Sequence, residues 1–304
     1  MNISEKQNNS INFKRLAAQK QLYSEAKTIH YLQIMLSGVM LLIISVLANV
    51  ISKEYNAYLV LASILCVVFD ELIINPRIEE SRTLAASIQE DFDCDVLDIP
   101  LNKVKFKRRD LSEIVNEYSS KYLHRFKDFN TLIDWYPGME NTDTIYSKVI
   151  CQKTNCWWSQ KLREKYSGII KAIIVFISII LIIISLLKGM TVEIFIVYVI
   201  SPLMPISVLA YRIIRDNSKS IENLNDIKII LESIIEKLKN KEVYLINEFN
   251  NDVRCLQDMI YENRRISPVV PDFFYKHYRN RYEDTANETN IELIKLINTK
   301  SERC

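Results

Sequence analysis

The run from Thr28 to Ser52 contains no Asp, Glu, Lys or Arg. At about 1.5 Å of rise per residue, a helix of that length exceeds the roughly 30 Å hydrocarbon core of a bilayer. A helix also satisfies its own backbone in lipid, so this run fixes the chain as a membrane protein. Three shorter runs follow. Tyr55 to Phe69 is uncharged and reaches spanning length only by continuing through Asp70 and Glu71 to Ile74, so that acidic pair must sit near an interface or face a protein interior. Ala172 to Leu187 is lengthened by Lys171, which can snorkel, and by Tyr166 at the headgroups. Ile194 to Tyr211 forms the fourth span and holds Pro202 and Pro205.

The fold expected is mainly α and polytopic: four transmembrane helices in two hairpins, a small and mostly helical cytoplasmic middle domain, and a long C-terminal amphipathic helix. The corresponding segments are 1–27 (N-terminal helix), 28–74 (first hairpin), 75–165 (middle domain), 166–214 (second hairpin) and 215–304 (C-terminal region). Lys14, Arg15, Lys20, Lys27, Arg77, Arg82, Lys153, Lys161, Arg163, Lys165, Arg212, Arg215 and Lys219 flank one side of the spans, against Lys53 and Lys188 in the hairpin loops. By the positive-inside rule both termini and the middle segment are cytoplasmic. The opening residues show no pattern of a cleaved signal peptide. A formal net charge of +2 gives no electrostatic case for a nucleic acid polymer as partner. The six cysteines fall in a span or on the reducing side, so no disulfide framework is implied.

Within the middle segment, Arg77 to Glu90 reads as a helix, and Phe92 to Val96 alternates apolar and acidic residues like a short strand. The acidic run from Glu90 to Asp95 lacks the Gly and distal Glu of a calcium loop and reads as a solvated strand edge. Asp110 to Phe126 reads as an amphipathic helix with Asp110 and Glu113 as a capping box, and Trp135 to Gly138 punctuates before the next helix. From Ile221 to Ile260 apolar residues recur at helical spacing with alternating charges between them. That predicts one long amphipathic helix needing a partner, within the chain or in a homo-oligomer. Pro268 and Pro271 then enforce an extended segment anchored by Phe273, Phe274 and Tyr275.

Cys151 and Cys156 have no second ligand pair, and His30, His124 and His277 are scattered, so the stretch Cys151–Tyr166 is read without a metal. It reads as an interfacial approach to the third span: Trp157 and Trp158 first, then Lys161, Arg163 and Lys165 at the headgroup boundary, with the cysteines as small apolar fillers. No phosphate loop, nucleophile elbow or zinc motif is present, and there are only four glycines; neither an enzyme nor a cofactor is expected.

Pro202 and Pro205 favour a kink, which is either a gate or a packing solution. Ser45, Asn49, Ser178, Ser185 and Ser201 either line water or bond their own helix. Asp70 and Glu71 form a cation-attracting ring in an oligomer or else simply end the second span. Arg264 and Arg265 offer adjacent guanidiniums for phosphate, or cap the long helix's negative end. Lys107, Arg108 and Arg109 join them, or belong to a loop drawn to anionic lipid.

Five stretches, in order, resemble the SMODS-associated four-transmembrane effectors: Leu16–Lys27, Ala85–Pro100, Asp134–Pro137, Ile150–Tyr166 and Arg264–Tyr275. The resemblance implies a pore-forming effector of bacterial anti-phage defence. Its cytoplasmic parts would sense a cyclic oligonucleotide and its spans would open a lethal leak in the inner membrane. The two hairpins, read as repeats with midspan prolines, suggest the alternative of a constitutive channel or carrier.

The charge asymmetry makes a direct prediction. Cysteines placed at Ser52 or Thr191 should react with an impermeant thiol reagent outside intact spheroplasts, whereas Cys255 should react only after permeabilisation. Labelling of Cys255 in sealed spheroplasts reverses the topology.

Overall fold

The structure, a computed structural model, describes residues 2–102, 104–105, 111–139, 144–239, 246–274, 277–278, 285 and 288. Among them the chain is helical, with no strand. A short helix α1 (Ile3–Gln7) leads into α2, which runs through Ser10–Gln33, a π-helical stretch Ile34–Met40 and Leu41–Val50. Helix α3 runs through Asn56–Phe69, a second π stretch Asp70–Ile74 and Asn75–Val96. Then come α4 (Leu111–Phe126), α5 (Thr144–Leu187), α6 (Val192–Phe195, the π stretch Ile196–Ile200 and Ser201–Lys239) and α7 (Ile246–Ile266).

Three of these helices are long and apolar enough to cross a membrane, and four when the bent α6 is taken as one span. The protein is therefore a polytopic helical membrane protein. Each span continues without interruption into a charged stem. In α2 the change is visible in the burial: Leu16, Ala17, Ala18, Leu22 and Ala26 are fully buried at helical spacing, whereas beyond Thr28 large side chains such as Met35, Ile43 and Val46 face outward. That outward face suits lipid. At Gly38, α2 faces Ile206 and Leu209 of α6 at ordinary contact distance, a Cβ there standing 3.5 Å from Leu209 Cδ2. The third span, in α5, has no buried residue in its most apolar stretch. The α6 segments Val192–Ile200 and Leu203–Leu238 meet at 65°. The bend falls between Ile200 and Leu203, where Pro202 has no N–H to give the helical ladder.

Beyond the membrane, the stems pack into one polar body rather than around a separate middle domain. Its largest core unites Leu16 from α2, Phe92 from α3, Tyr122 from α4, Ile150 from α5, Leu224 to Ile235 from α6 and Phe249 to Ile260 from α7. Paired alanines, Ala17 and Ala18 on α2 with Ala85 and Ala86 on α3, are fully buried and let those two stems lie close. The partner expected for the amphipathic C-terminal region is thus found inside the chain. That region is two helices, α6 and α7, rather than one; residues 240–245 between them lie outside the described residues.

The expected strand at Phe92–Val96 is the last turn of α3. Alternation misled because the acidic residues serve two helical faces. Asp91 and Asp95, one turn apart, both pair with Arg15 of α2 at 2.8 and 2.9 Å. Glu90 pairs with Arg254 of α7 at 2.6 Å, and Asp93 with Arg264 at 2.5 Å. The run read as a solvated edge is instead the ionic spine of the body. Asp93 is fully buried, and also accepts from Tyr136 Oη at 2.6 Å and Gln257 Nε2 at 3.2 Å. Burial works against the Arg264 charge, but Asp93 and then Tyr136 more than offset it, so its pKa is raised. Tyr136 is fixed in turn: its N–H donates to Gln7 Oε1 at 2.7 Å, and its carbonyl accepts from Gln7 Nε2 at 3.3 Å. The turn around it needs two left-handed residues, Asp134 (φ 51°) and Gly138 (φ 77°). The capping box expected at Asp110 lies outside the described residues.

Removing one member of a buried ion pair strands the other. Asp93→Ala or Arg264→Met should each lower unfolding free energy by about 3–5 kcal/mol, and the double variant should lose clearly less than the sum. Denaturant titration of the detergent-solubilised protein measures this. Additive losses would show that the pair is not the unit.

Candidate functional site

The four long helices leave the body side by side, and one segment crosses them there. Helix α7 stops at Ile266 because Ser267 precedes a proline, which disfavours helical geometry, although the Ser267 N–H still closes the last turn onto Asn263 O at 2.9 Å. The chain from Ser267 to Phe274 then forms a strap against the stems. Ser220 of α6 lies 2.6 Å from Ser267 Oγ and donates to Asn263 at 3.1 Å. Lys27 of α2 pairs with Asp272 at 2.5 Å. Leu162 and Tyr166 of α5 pack on Val270 and Phe274, with Tyr166 and Phe274 ring centres 5.0 Å apart. Further along, Phe273, Phe274, His277 and Tyr278 line a cavity of about 480 Å³ with Ile169.

Arg163 sits beneath this strap. Its Nη1 donates to Pro268 O at 2.9 Å and Asn217 Oδ1 at 3.1 Å, and its Nε to Ser159 Oγ at 3.3 Å. All three acceptors are neutral. Burial pushes its pKa down to about 10. Arg82 of α3 is also lowered by burial, partly offset by Glu79, Tyr23 and Asp216, and its Nε is buried with no hydrogen-bond partner. Burial raises Tyr23 of α2 despite Arg264, Arg163 and Arg82, which act the other way. The collar therefore gathers a phenol and two guanidiniums from three stems.

A second polar layer lies at the start of the spans. His30 Nδ1 is 2.9 Å from Gln33 Oε1, and Gln33 Nε2 donates to Asp70 at 2.8 Å. Gln33 ends the α-helical stretch before one π segment, and Asp70 begins another. Glu71 pairs with Arg212 of α6 at 2.7 Å. Both carboxylates considered for a cation-attracting ring thus have partners within the chain.

The remaining candidates are scattered. Ser178 bonds its own turn, donating to Ile174 O at 2.8 Å, and Ser185 and Ser201 sit elsewhere on lipid-facing helices. Ser45 is half-buried on α2; the side chains of Asn49 and Pro202 lie outside the described ones. Pro205 is inside α6. Arg264 is spent on Asp93, and Arg265 pairs with Glu262 at 2.8 Å near the surface. Lys107, Arg108 and Arg109 lie outside the described residues. The interfacial reading of Cys151–Tyr166 needs correction. Trp158 is roughly 20 Å along the axis from Ala172, half-buried against the Leu162 and Phe274 cluster, while Cys151 and Cys156 are in the main core. Lys161 pairs with Glu164 and Lys165 is exposed. The stretch is a stem of the body, and its basic run includes one inward-facing arginine. Sequence reasoning counted Arg82 and Arg163 only as positive charges near spans. The inward side of α5 follows from helical phase, since Arg163 lies about one turn from the buried Gln160 and Ser167.

The core thiols give a chemical handle. Burial and then Asp93 raise Cys151, and burial pushes Cys156 up to about 12, with Arg264 opposing. Both therefore stay protonated at neutral pH. Maleimide should label the exposed Cys255 of the folded protein within minutes and reach Cys151 and Cys156 only after denaturation. Mass spectrometry of the digests reads this, and prompt labelling of Cys151 would contradict the packing.

The family model described as "SMODS-associating 4TM effector domain" matches residues 1–293. No curated protein and no solved structure matches the chain.

Proposed function

The chain belongs to the SMODS-associating 4TM effector family, and on that premise we propose that it is a non-enzymatic, pore-forming effector of bacterial anti-phage defence. In this reading it lies in the inner membrane with both termini cytoplasmic. A cyclic-nucleotide signal reaches the polar body, and the spans open a leak that ends the infected cell.

One observation carries the reading: each span is continuous with a stem of the body. A helix transmits displacement along its axis, so a change in how α2, α3, α5 and α6 sit under the strap must move their membrane halves. The layer of His30, Gln33, Asp70, Glu71 and Arg212 ties three of those helices where they enter the spans. Conduction calls for several copies. The third span is apolar on every side and buries none of its stretch within the chain, which leaves it available to pack against a neighbouring copy.

Dye entry and membrane potential should be followed in cells making the protein with and without a SMODS-type nucleotide synthetase supplied in trans. Depolarisation should require both. Replacing Pro202 and Pro205 with Leu should straighten α6 and change the leak without preventing insertion. A leak of equal size without the synthetase would favour a constitutive channel or carrier.

A further inference from the structure

The arginines that lie between the stems differ in their partners. Arg15, Arg254 and Arg264 each meet a carboxylate of α3 at 2.9 Å or less. Arg82 and Arg163 meet none among the described residues. Arg163 has its hydrogen bonds to an amide, a hydroxyl and a backbone carbonyl, and Arg82 keeps a buried N–H unpaired. Taking a guanidinium out of water is unfavourable unless a counter-charge accompanies it. Here two half-buried guanidiniums share one region: Arg82 opposes the charge of Arg163, and Arg265 adds to the field at Arg82. The acids felt at Arg82 are weak compensation: Asp216 is bonded to Arg215 at 2.9 Å, which leaves Glu79, one turn from Arg82 on α3.

We propose that Arg82 and Arg163, with Tyr23 and Asn217 beside them, form an anion site for a phosphate-bearing ligand at the collar beneath the spans. Guanidinium forks match phosphate oxygens in pairs, and two forks from separate helices can hold one phosphodiester. The phenol of Tyr23 supplies a neutral donor, and Asn217, whose Oδ1 accepts from Arg163 while its Nδ2 donates to Ile213 O, fixes that guanidinium in place. The participating residues come from α2, α3, α5 and α6, and Pro268 of the strap already bonds Arg163. An anion here would neutralise the repulsion between the α3 and α5 stems and draw them together under the strap. Two sources carry that chemistry: the phosphodiester of a cyclic nucleotide, which rests on the function proposed above, and the headgroup of an anionic phospholipid.

The test uses the full-length protein in nanodiscs. In phosphatidylcholine discs it is titrated with pyrophosphate and with a panel of cyclic dinucleotides and trinucleotides, and in discs containing phosphatidylglycerol the retained lipid is counted by native mass spectrometry. Arg82→Gln and Arg163→Gln should each weaken the bound probe by about tenfold or more, the size of a lost charge-assisted hydrogen bond. Arg163→Lys, which keeps the charge and loses the fork, should fall between. Without any probe, the double variant should melt at or above the wild-type temperature, because it no longer buries unpaired charge. The site falls if no probe binds, if the variants bind with unchanged affinity, or if the unliganded double variant melts well below wild type. Binding of pyrophosphate or phosphatidylglycerol that needs both arginines, with no cyclic nucleotide bound, keeps the site and removes the proposed signal. A cyclic nucleotide that opens the double variant as it opens wild type keeps the signal and removes this site.

Discussion

A fully buried carboxylate, Asp93, governs how the polar body is assembled. An isolated charge at that depth would be prohibitively unfavourable, so every group that answers it is held in place. Arg264 brings the end of α7, Gln257 brings its middle, and Tyr136 brings the turn after α4. Tyr136 in turn is held by both amide groups of Gln7 from α1 and receives Asn155 from α5 at 2.8 Å. One oxygen pair therefore links segments from nearly both ends of the chain. Such a cluster contributes little net stability compared with an apolar core of equal volume. Its effect here is registration, since Arg254 and Arg264 of α7 meet Glu90 and Asp93 of α3 together in this alignment.

That registration decides what happens at the membrane. With α7 fixed by Arg254 and Arg264, the strap after Ile266 can only fall across the stems, and its contacts with Lys27, Arg163, Tyr166 and Ser220 follow. The stems enter the bilayer without a break in the helix, so the body and the spans form one mechanical unit. Among the described residues of the long helices, departures from α-helical geometry fall at the π segments Ile34–Met40, Asp70–Ile74 and Ile196–Ile200 and at the bend beside Pro202. Two of those π segments adjoin the Gln33 and Asp70 contact. Helical irregularity and buried polarity thus coincide at the level where the stems become spans.

Hydropathy made the spans legible because lipid imposes a length and a composition on each run. The kink in α6 was legible from Pro202 for an equally local reason. The body was not, because its logic is pairwise and long-range. Phe92–Val96 looks like a strand when its carboxylates are assumed to face water, and like a helix once Arg15 and Arg264 are seen on two sides of it. The amphipathic pattern from Ile221 onward showed an apolar face but not that it belongs to two helices, α6 and α7, whose apolar residues meet in one core. Trp157 and Trp158 resembled an interfacial belt because aromatic residues before a span usually are one. Here the third span is preceded by a stem long enough to carry them into the body.

Charge assignment shows the same limit most sharply. Arg264 and Arg265 stand out in a sequence because they are adjacent and precede a proline segment, yet adjacency in a helix places successive side chains on different faces. One points inward to Asp93 and the other outward to Glu262. A phosphate needs donors that converge and are not already neutralised. Convergence arises where separate helices meet, and neutralisation depends on carboxylates distant in sequence. By both criteria the unspent charge is at Arg82 and Arg163, which stand on different stems and are separated from each other by most of the middle segment. Their inward placement is unfavourable for the unliganded fold, and that cost is what an arriving anion would remove.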